Sequence, residues 1–124
     1  MNNNIKVKEP KKCHLWKKDS LTLEDVLNAF EKIKLYEEDS HLIRKLLKCK
    51  ECGQLYFHEF YEIVDWKEGN DAQYSTWIPV NDENSADELS KLSQIMLNSF
   101  LSIRRDFPSD AKEPTGPYWY GKKI

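Results

Sequence analysis

The chain has 124 residues, of which 40% are hydrophobic, 12% aromatic and 32% charged, and its formal net charge is −2. This length and apolar content suit one folded domain over residues 1–124, and they exclude collagen, coiled coils and disulfide mini-proteins. No apolar run approaches the ~18 residues of a membrane-spanning helix, and the first residues lack the apolar core of a secretory signal. We therefore expect a cytoplasmic protein that does not engage a membrane.

The N-terminal region is basic and precedes two predicted helices. Residues 1–18 carry six lysines and one glutamate, and residues 1–12 are predicted to form a flexible basic arm. The first helix is predicted over residues 23–34, because a capping box precedes apolar residues at helical spacing. A second helix is predicted over residues 41–48, where leucine and isoleucine residues fall on one side.

A β-hairpin is predicted over residues 54–80. Its first half is dense in aromatic and β-branched residues, which favour strands. Its second half alternates between polar and apolar residues, and the turn between the halves contains Gly69 and Asn70. Pro79 has no amide donor, which predicts that the second strand lies near an edge of the sheet.

The last predicted helix spans residues 86–104, where Ser85 and Glu88 form a capping box and an apolar stripe follows. A third strand is predicted near residues 118–120. The predicted fold class is therefore α+β, in which a small antiparallel sheet is packed by three helices.

The motif with the most specific chemistry is a C-x-x-C-G sequence at Cys49, Cys52 and Gly53. Two thiolates at this spacing can hold one tetrahedral Zn²⁺ ion, and a glycine after the second cysteine permits the tight turn. Cys13 and the neighbouring His14 are predicted to be the remaining two ligands of the ion, although ligands that are adjacent in sequence are geometrically unusual. The predicted ligands of one structural zinc ion are Cys49, Cys52, Cys13 and His14.

Three alternatives for this motif remain open. His41 or His58 is a substitute for the fourth ligand, and His58 fits only if the chain bends after Cys52. The cysteine pair is otherwise a redox-active dithiol, although the preceding helix departs from the thioredoxin-like context. The cysteines also pack as small hydrophobic residues in many proteins.

A second candidate feature is an acidic stretch between residues 59 and 88, with nine carboxylates against one lysine. Complementary charge speeds association with a basic protein, and aromatic residues contribute much of the binding energy in interfaces. The alternative is that the acidic residues keep the domain soluble and the aromatic residues form its core. The predicted partner-binding residues are Glu59, Glu62, Asp65, Glu68, Asp71, Trp66 and Trp77.

The sequence contains no Walker A loop, dinucleotide-binding glycine motif or nucleophile elbow. We therefore expect a non-enzymatic protein-binding module with no catalytic residue. An alternative function is that of a zinc-ribbon-like accessory protein that binds nucleic acid through its lysines. This alternative ranks second, because the strand after the cysteines is acidic. The lysines concerned are Lys6, Lys8, Lys11, Lys12, Lys17 and Lys18.

The segment 48–57, KCKECGQLYF, together with Glu62 and residues 65–66, 69–71 and 78–80, resembles small uncharacterised bacterial cytosolic proteins that contain a CxxCG motif. Some proteins of this size and charge pattern are immunity proteins of polymorphic toxin systems. The resemblance covers the central third of the chain. It implies at most a non-enzymatic binder of a partner, and it carries over no catalytic residue. With the acidic, aromatic-rich face, we expect a module that neutralises a basic toxin or another protein partner.

Overall fold

A six-stranded antiparallel sheet, in which every strand pairs with its neighbour in sequence, organises residues 5–122, the part of the chain that this computed structural model describes. The strands are β1 (Phe30–Glu38), β2 (Leu42–Cys49), β3 (Leu55–Ile63), β4 (Ala72–Val80), β5 (Ser102–Phe107) and β6 (Thr115–Tyr120). The described residues also form four short helices: α1 (His14–Lys17), α2 (Leu23–Leu27), α3 (Glu83–Leu89) and α4 (Gln94–Leu97). None of these helices has the length and apolar content needed to cross a membrane.

The prediction of a small sheet packed by three helices is wrong, because the fold is mostly β with only short helices. The helix predicted over residues 23–34 begins at its capping box but ends at Leu27, and β1 follows. The helix predicted over residues 41–48 is the strand β2. The helix predicted over residues 86–104 is divided into the end of α3, the short α4 and the start of β5.

Burial on both faces explains why β2 has the sequence pattern of a helix. Leu46 belongs to the hydrophobic core on one face of the sheet, with Phe57, whereas Leu47 belongs to the core on the other face, with Tyr56. Apolar residues at positions 42, 43, 46 and 47 would form one stripe on a helix. Here they supply both faces of an internal strand instead.

The apolar stripe of the last predicted helix is also divided between the two faces. Leu89 and Leu97 pack in the core on one side of the sheet, and Ile103 packs in the core on the other side. The Ser93 hydroxyl accepts a hydrogen bond from the amide of Met96 and thereby caps a new helix. The chain therefore turns between these residues instead of continuing as one helix.

The predicted hairpin is confirmed as β3 and β4, which pair from Leu55–Val80 to Ile63–Ala72, and the predicted third strand is β6. Strand β4 is nevertheless internal. Pro79 is tolerated there because β5 pairs with β4 only as far as Trp77. Beyond that point the N-terminal segment lies beside β4, and the Lys8 amide donates to the Pro79 carbonyl at 3.3 Å.

The residues of the predicted arm are placed in part. Residues 1–4 lie outside the described residues, and Val7 forms an antiparallel bridge with Val80. The Lys6 amide donates to the Ser85 hydroxyl at 2.8 Å, and the Asn81 amide donates to the Lys6 carbonyl at 2.8 Å. Residues 6–8 are therefore held against the end of β4 and the start of α3.

The sheet separates two cores. We call the side covered by α1 and α2 the cysteine face, and its buried residues include Cys13, Cys49, Tyr56, Trp77 and Ile103. The other side, which α3 and α4 cover, is called the opposite face, and its buried residues include Leu46, Phe57, Ile78, Leu89 and Leu97.

The up-and-down order of the strands gathers three acidic connections at one end of the sheet. The turn of residues 50–54, with the cysteines, lies at one end. Connections 39–41, 64–71 and 108–114 all lie at the other end, because alternate turns of an antiparallel meander meet there. These three connections carry six carboxylates against two lysines, and we call this end the acidic end.

Candidate metal centre

A tight turn between β2 and β3 positions two of the cysteines. Cys49 is the last residue of β2, and its amide donates to the Gln54 carbonyl at 2.8 Å. The Gly53 amide donates back to the Cys49 carbonyl at 2.9 Å. Gly53 has φ = +79°, a conformation that glycine adopts without steric cost. The turn brings the exposed Cys52 close to the buried Cys49.

The third cysteine comes from the segment that precedes α1. Cys13 is 1% exposed, and its Sγ atom lies 3.9 Å from the Sγ atom of Cys49. The Lys50 amide donates to the Ala29 carbonyl at 2.8 Å, which holds the turn against the end of α2. The Sγ atoms of Cys13, Cys49 and Cys52 all lie within 4.8 Å of one another, which is close enough for the three cysteines to bind one metal ion.

His14 joins this cluster through Cys49. Its Nδ1 atom lies 3.8 Å from the Cys49 Sγ atom, and its Nε2 atom lies 3.1 Å from a carboxylate oxygen of Glu51. Because a carboxylate only accepts, Nε2 carries the hydrogen, and in a neutral ring the lone pair is then on Nδ1. Metal-ligating histidines commonly pair their second ring nitrogen with a carboxylate in this way.

Burial governs the ionisation of Cys13 in the absence of a metal. It raises the pKa of the Cys13 thiol to about 12, and the neighbouring Cys52 and Cys49 act in the same direction. The Tyr56 hydroxyl donates to the Cys13 Sγ atom at 3.2 Å and opposes this rise, but it does not offset the burial. Burial and the same cysteine also raise the pKa of Tyr56. The metal-free Cys13 is therefore a neutral thiol at neutral pH.

The alternative histidine ligands lie outside the cluster. The His41 Nδ1 atom lies 3.0 Å from a Glu62 carboxylate oxygen, near the acidic end of the sheet. His58 stacks on Trp77, with 4.6 Å between the ring centroids, and its Nδ1 atom donates to the Thr76 carbonyl at 3.1 Å. Of the three histidines, His14 is the one that contacts a cysteine of the cluster.

Two of the residues predicted to bind a partner lie inside the protein. Glu59 is 3% exposed, and its carboxylate lies 2.7 Å from a guanidinium nitrogen of Arg44. Burial raises the pKa of Glu59 despite this cation. Trp77 is 4% exposed and belongs to the core of the cysteine face. Neither side chain is available at the surface.

The other predicted partner-binding residues lie at or near the turn between β3 and β4. The Asp65 carboxylate accepts from the amides of Lys67 and Glu68, both at 3.1 Å, and the Asp71 carboxylate accepts from the Asp65 amide at 2.8 Å. These two carboxylates therefore hold the turn. Glu68 is exposed, and Trp66 is 90% exposed at the tip.

The Glu62 carboxylate contacts β4 and the connection between β1 and β2 instead of that turn. It accepts from the Gln73 side chain at 3.0 Å and faces His41. Both partners lower the pKa of Glu62, the Gln73 bond more than the histidine.

The lysines of the N-terminal region lie mostly at the surface. Three of them line a cavity of about 410 Å³ beside Cys52, namely Lys8, Lys11 and Lys12. Lys18 pairs with Asp25 at 2.8 Å, and Lys11 lies 3.8 Å from Glu9. Lys6 and Lys17 are exposed.

Sequence reasoning missed two residues that contact the cluster, Glu51 and Tyr56. The position of Glu51 between the two cysteines of the motif was the signal that could have found it. Tyr56 offered no such signal, since its contact with Cys13 depends on how the N-terminal segment packs over β3.

Comparisons with known proteins found no significant match. No protein-family model matches the chain, and neither the curated proteins nor the solved structures include a significant match.

Proposed function

We propose that the protein is a non-enzymatic protein-binding module whose fold is fastened by one structural Zn²⁺ ion. The observation that carries the metal proposal is the cluster of three cysteine sulfurs within 4.8 Å of one another. Zinc–sulfur bonds of ~2.3 Å in a tetrahedron put two ligand sulfurs ~3.8 Å apart. The separation of the Cys13 and Cys49 sulfurs is 3.9 Å.

The proposed fourth ligand is Nδ1 of His14, which completes a Cys₃His set typical of structural zinc sites. Four protein ligands leave no position for a substrate, which favours a structural role over a catalytic one. The ion would tie the segment before α1 to the β2–β3 turn. In a chain of 124 residues such a tie contributes a large share of the stability. We place the protein in the cytoplasm, where thiols remain reduced.

The zinc proposal is tested by the metal content of the purified full-length chain. We expect about one zinc ion per chain, measured by mass spectrometry. Cys52→Ser should lose most of this zinc, whereas His41→Gln should retain it because His41 lies outside the cluster. Less than a tenth of an ion per wild-type chain after zinc loading, or full zinc retention in Cys52→Ser, would overturn the proposal.

The proposed binding surface is the acidic end with Trp66 at its tip. An exposed tryptophan on an ordered turn is a suitable anchor for an interface, and the surrounding carboxylates favour a basic partner surface. This charge, together with the resemblance to immunity proteins, favours a basic toxin domain as the partner class. Glu68, Asp110 and Glu113 are exposed, and their carboxylates form no hydrogen bond or ion pair with the described residues, so these carboxylates are free to meet such a partner.

The binding proposal is tested on a partner that is captured from the native cell, identified and purified. The triple variant Glu68→Lys, Asp110→Lys and Glu113→Lys should slow its association about tenfold or more at low salt. Trp66→Ala should mainly speed dissociation. Rates that neither change affects would contradict the proposal, and so would a captured ligand that is nucleic acid bound through the N-terminal lysines.

A further inference from the structure

The cysteine face is not covered along its whole length. Beyond α2, a cavity of about 350 Å³ opens on the sheet, within the size range of small-molecule sites. Ile43 and Phe60, which are cross-strand neighbours on β2 and β3, form its apolar floor. Leu23 and Leu27 of α2 form its wall, and Leu27 is 62% exposed.

A buried imidazole with one unpartnered nitrogen lines this cavity. His58 is 9% exposed, and since the Thr76 carbonyl only accepts, Nδ1 of His58 carries the hydrogen. Its Nε2 atom then has the lone pair. No fully buried side-chain nitrogen or oxygen of the described residues lacks a partner, so the unpartnered Nε2 atom must be open to the cavity. Burial lowers the pKa of His58 to about 4, which keeps the ring neutral at neutral pH.

Two cations border the same cavity. Lys45 is the cross-strand neighbour of His58 on β2, and Arg105 is the neighbour of Ser75 on the other side of the floor. Neither forms an ion pair with any of the residues 5–122. Unpaired cations at an apolar, partly enclosed cavity attract an anionic ligand, because the local dielectric is low.

We propose that this cavity binds a small carboxylate with an apolar side chain and a hydroxyl or amide N–H next to the carboxylate. The apolar part packs on Phe60 and Leu27. The hydroxyl or N–H donates to Nε2 of His58, and the carboxylate pairs with the adjacent Lys45. The close spacing of His58 and Lys45 is the reason that the donor must lie beside the carboxylate.

The ligand chemistry is tested on the full-length chain with 3-phenyllactate and 3-phenylpropionate, which differ only by the hydroxyl. We expect 3-phenyllactate to shift amide resonances of residues 43–45, 58–60 and 75–77 in two-dimensional NMR spectra, with a Kd of about 0.1–1 mM. The analogue without the hydroxyl should bind about fivefold more weakly, because the unpaired Nε2 atom loses its donor. Absence of shifts at 10 mM ligand, or equal affinity for the two ligands, would overturn the proposal.

Variants of the chain separate the contacts. Lys45→Gln should weaken 3-phenyllactate binding about fivefold to tenfold, whereas Lys48→Gln, on the same strand but on the opposite face, should leave it unchanged. His58→Phe preserves an aromatic ring against Trp77 and should abolish the difference between the two ligands. Equal effects of the two lysine variants, or a persisting difference in a folded His58→Phe, would contradict the assignment.

Discussion

The Sγ atom of Cys13 lies 3.9 Å from the Sγ atom of Cys49, although 36 positions separate these residues in the sequence. The contact joins the segment before α1 to the last residue of β2. The intervening chain includes α2, β1 and most of β2, so the cluster closes a long loop. The free energy of unfolding of the protein should therefore depend on what holds the sulfurs of this closed loop together.

The first prediction concerns zinc and thermal stability. Removal of zinc by a chelator should lower the Tm of the wild-type protein by about 10 °C, because the ion binds the folded state alone. Cys52→Ser should already have the Tm of the zinc-free wild type, and the chelator should not lower it further. Cys52 is exposed, so its replacement leaves the core packing intact. Calorimetry measures both values, and a Tm of the wild type that the chelator leaves unchanged would contradict a stabilising ion.

The second prediction concerns the turn that carries the cysteines. Gly53→Ala should destabilise the protein by about 1–2 kcal/mol, because alanine disfavours the positive φ of this position. A steric clash does not contribute, since the nearest atom to an added Cβ would be the Lys48 Cε atom at 3.7 Å. Gly53→Asn should cost less, because asparagine tolerates this conformation better. Urea unfolding should show this order, and equal losses in both variants would show that the backbone conformation is not the cause.

The third prediction concerns the buried Arg44. Its guanidinium contacts Glu59 on β3 and donates to the carbonyls of Ser90 and Leu92 at 2.9 and 2.8 Å, so it links the sheet to the end of α3. Arg44→Met should destabilise the protein by about 3–5 kcal/mol, because it leaves a buried carboxylate without a cation.

The matched control for Arg44→Met is its combination with Glu59→Gln. Removal of the buried charge should restore part of the lost stability, as measured by urea unfolding. A loss of unfolding free energy below about 1 kcal/mol in Arg44→Met would show that the ion pair does not stabilise the fold.

The fourth prediction concerns pH. Burial, and to a smaller extent Lys45, lowers the pKa of His58 from 6.5 to about 4, and Arg105 lines the same cavity. Between these values the unfolded chain binds a proton that the folded protein does not bind, so stability falls as the pH falls from 6.5 to 4. Above pH 6.5 this residue contributes no pH dependence. The total loss should be about 3 kcal/mol.

His58→Gln tests this linkage, because glutamine can donate to the Thr76 carbonyl but does not titrate. The difference in unfolding free energy between wild type and variant should change with pH across this window and be constant above it. A difference that is constant from pH 4 to 7 would contradict the assignment.

The sequence predicted the central hairpin but not the rest of the sheet, and the reason is physical. A strand with both faces buried needs apolar residues on both parities, so Leu46 and Leu47 of β2 have the pattern of a helical stripe. The helix that begins at the capping box of Thr22 and Asp25 was predicted correctly at its start. Its early end depends on the pairing of β1 with β2, which no local pattern encodes.

The candidate metal centre was more predictable than the fold around it. The C-x-x-C-G motif identifies its own turn, because the spacing and the glycine are local requirements. Cys13 was predicted as a ligand only because the sequence offers few other ligands, and the structure brings it to the cluster. The partner surface was less predictable. Glu59 and Trp77 have the charge and the aromatic ring expected at an interface, but the register of β3 and β4 decides that they are buried.

The proposed Cys₃His zinc site is tested most directly by X-ray absorption at the zinc edge of the zinc-loaded, full-length protein. We expect one ion with three sulfur ligands at ~2.3 Å and one nitrogen ligand at ~2.0 Å. His14→Gln should lose the nitrogen contribution and retain the three sulfurs. A zinc shell of nitrogen and oxygen atoms, with one sulfur or none, would contradict zinc binding by the three cysteines.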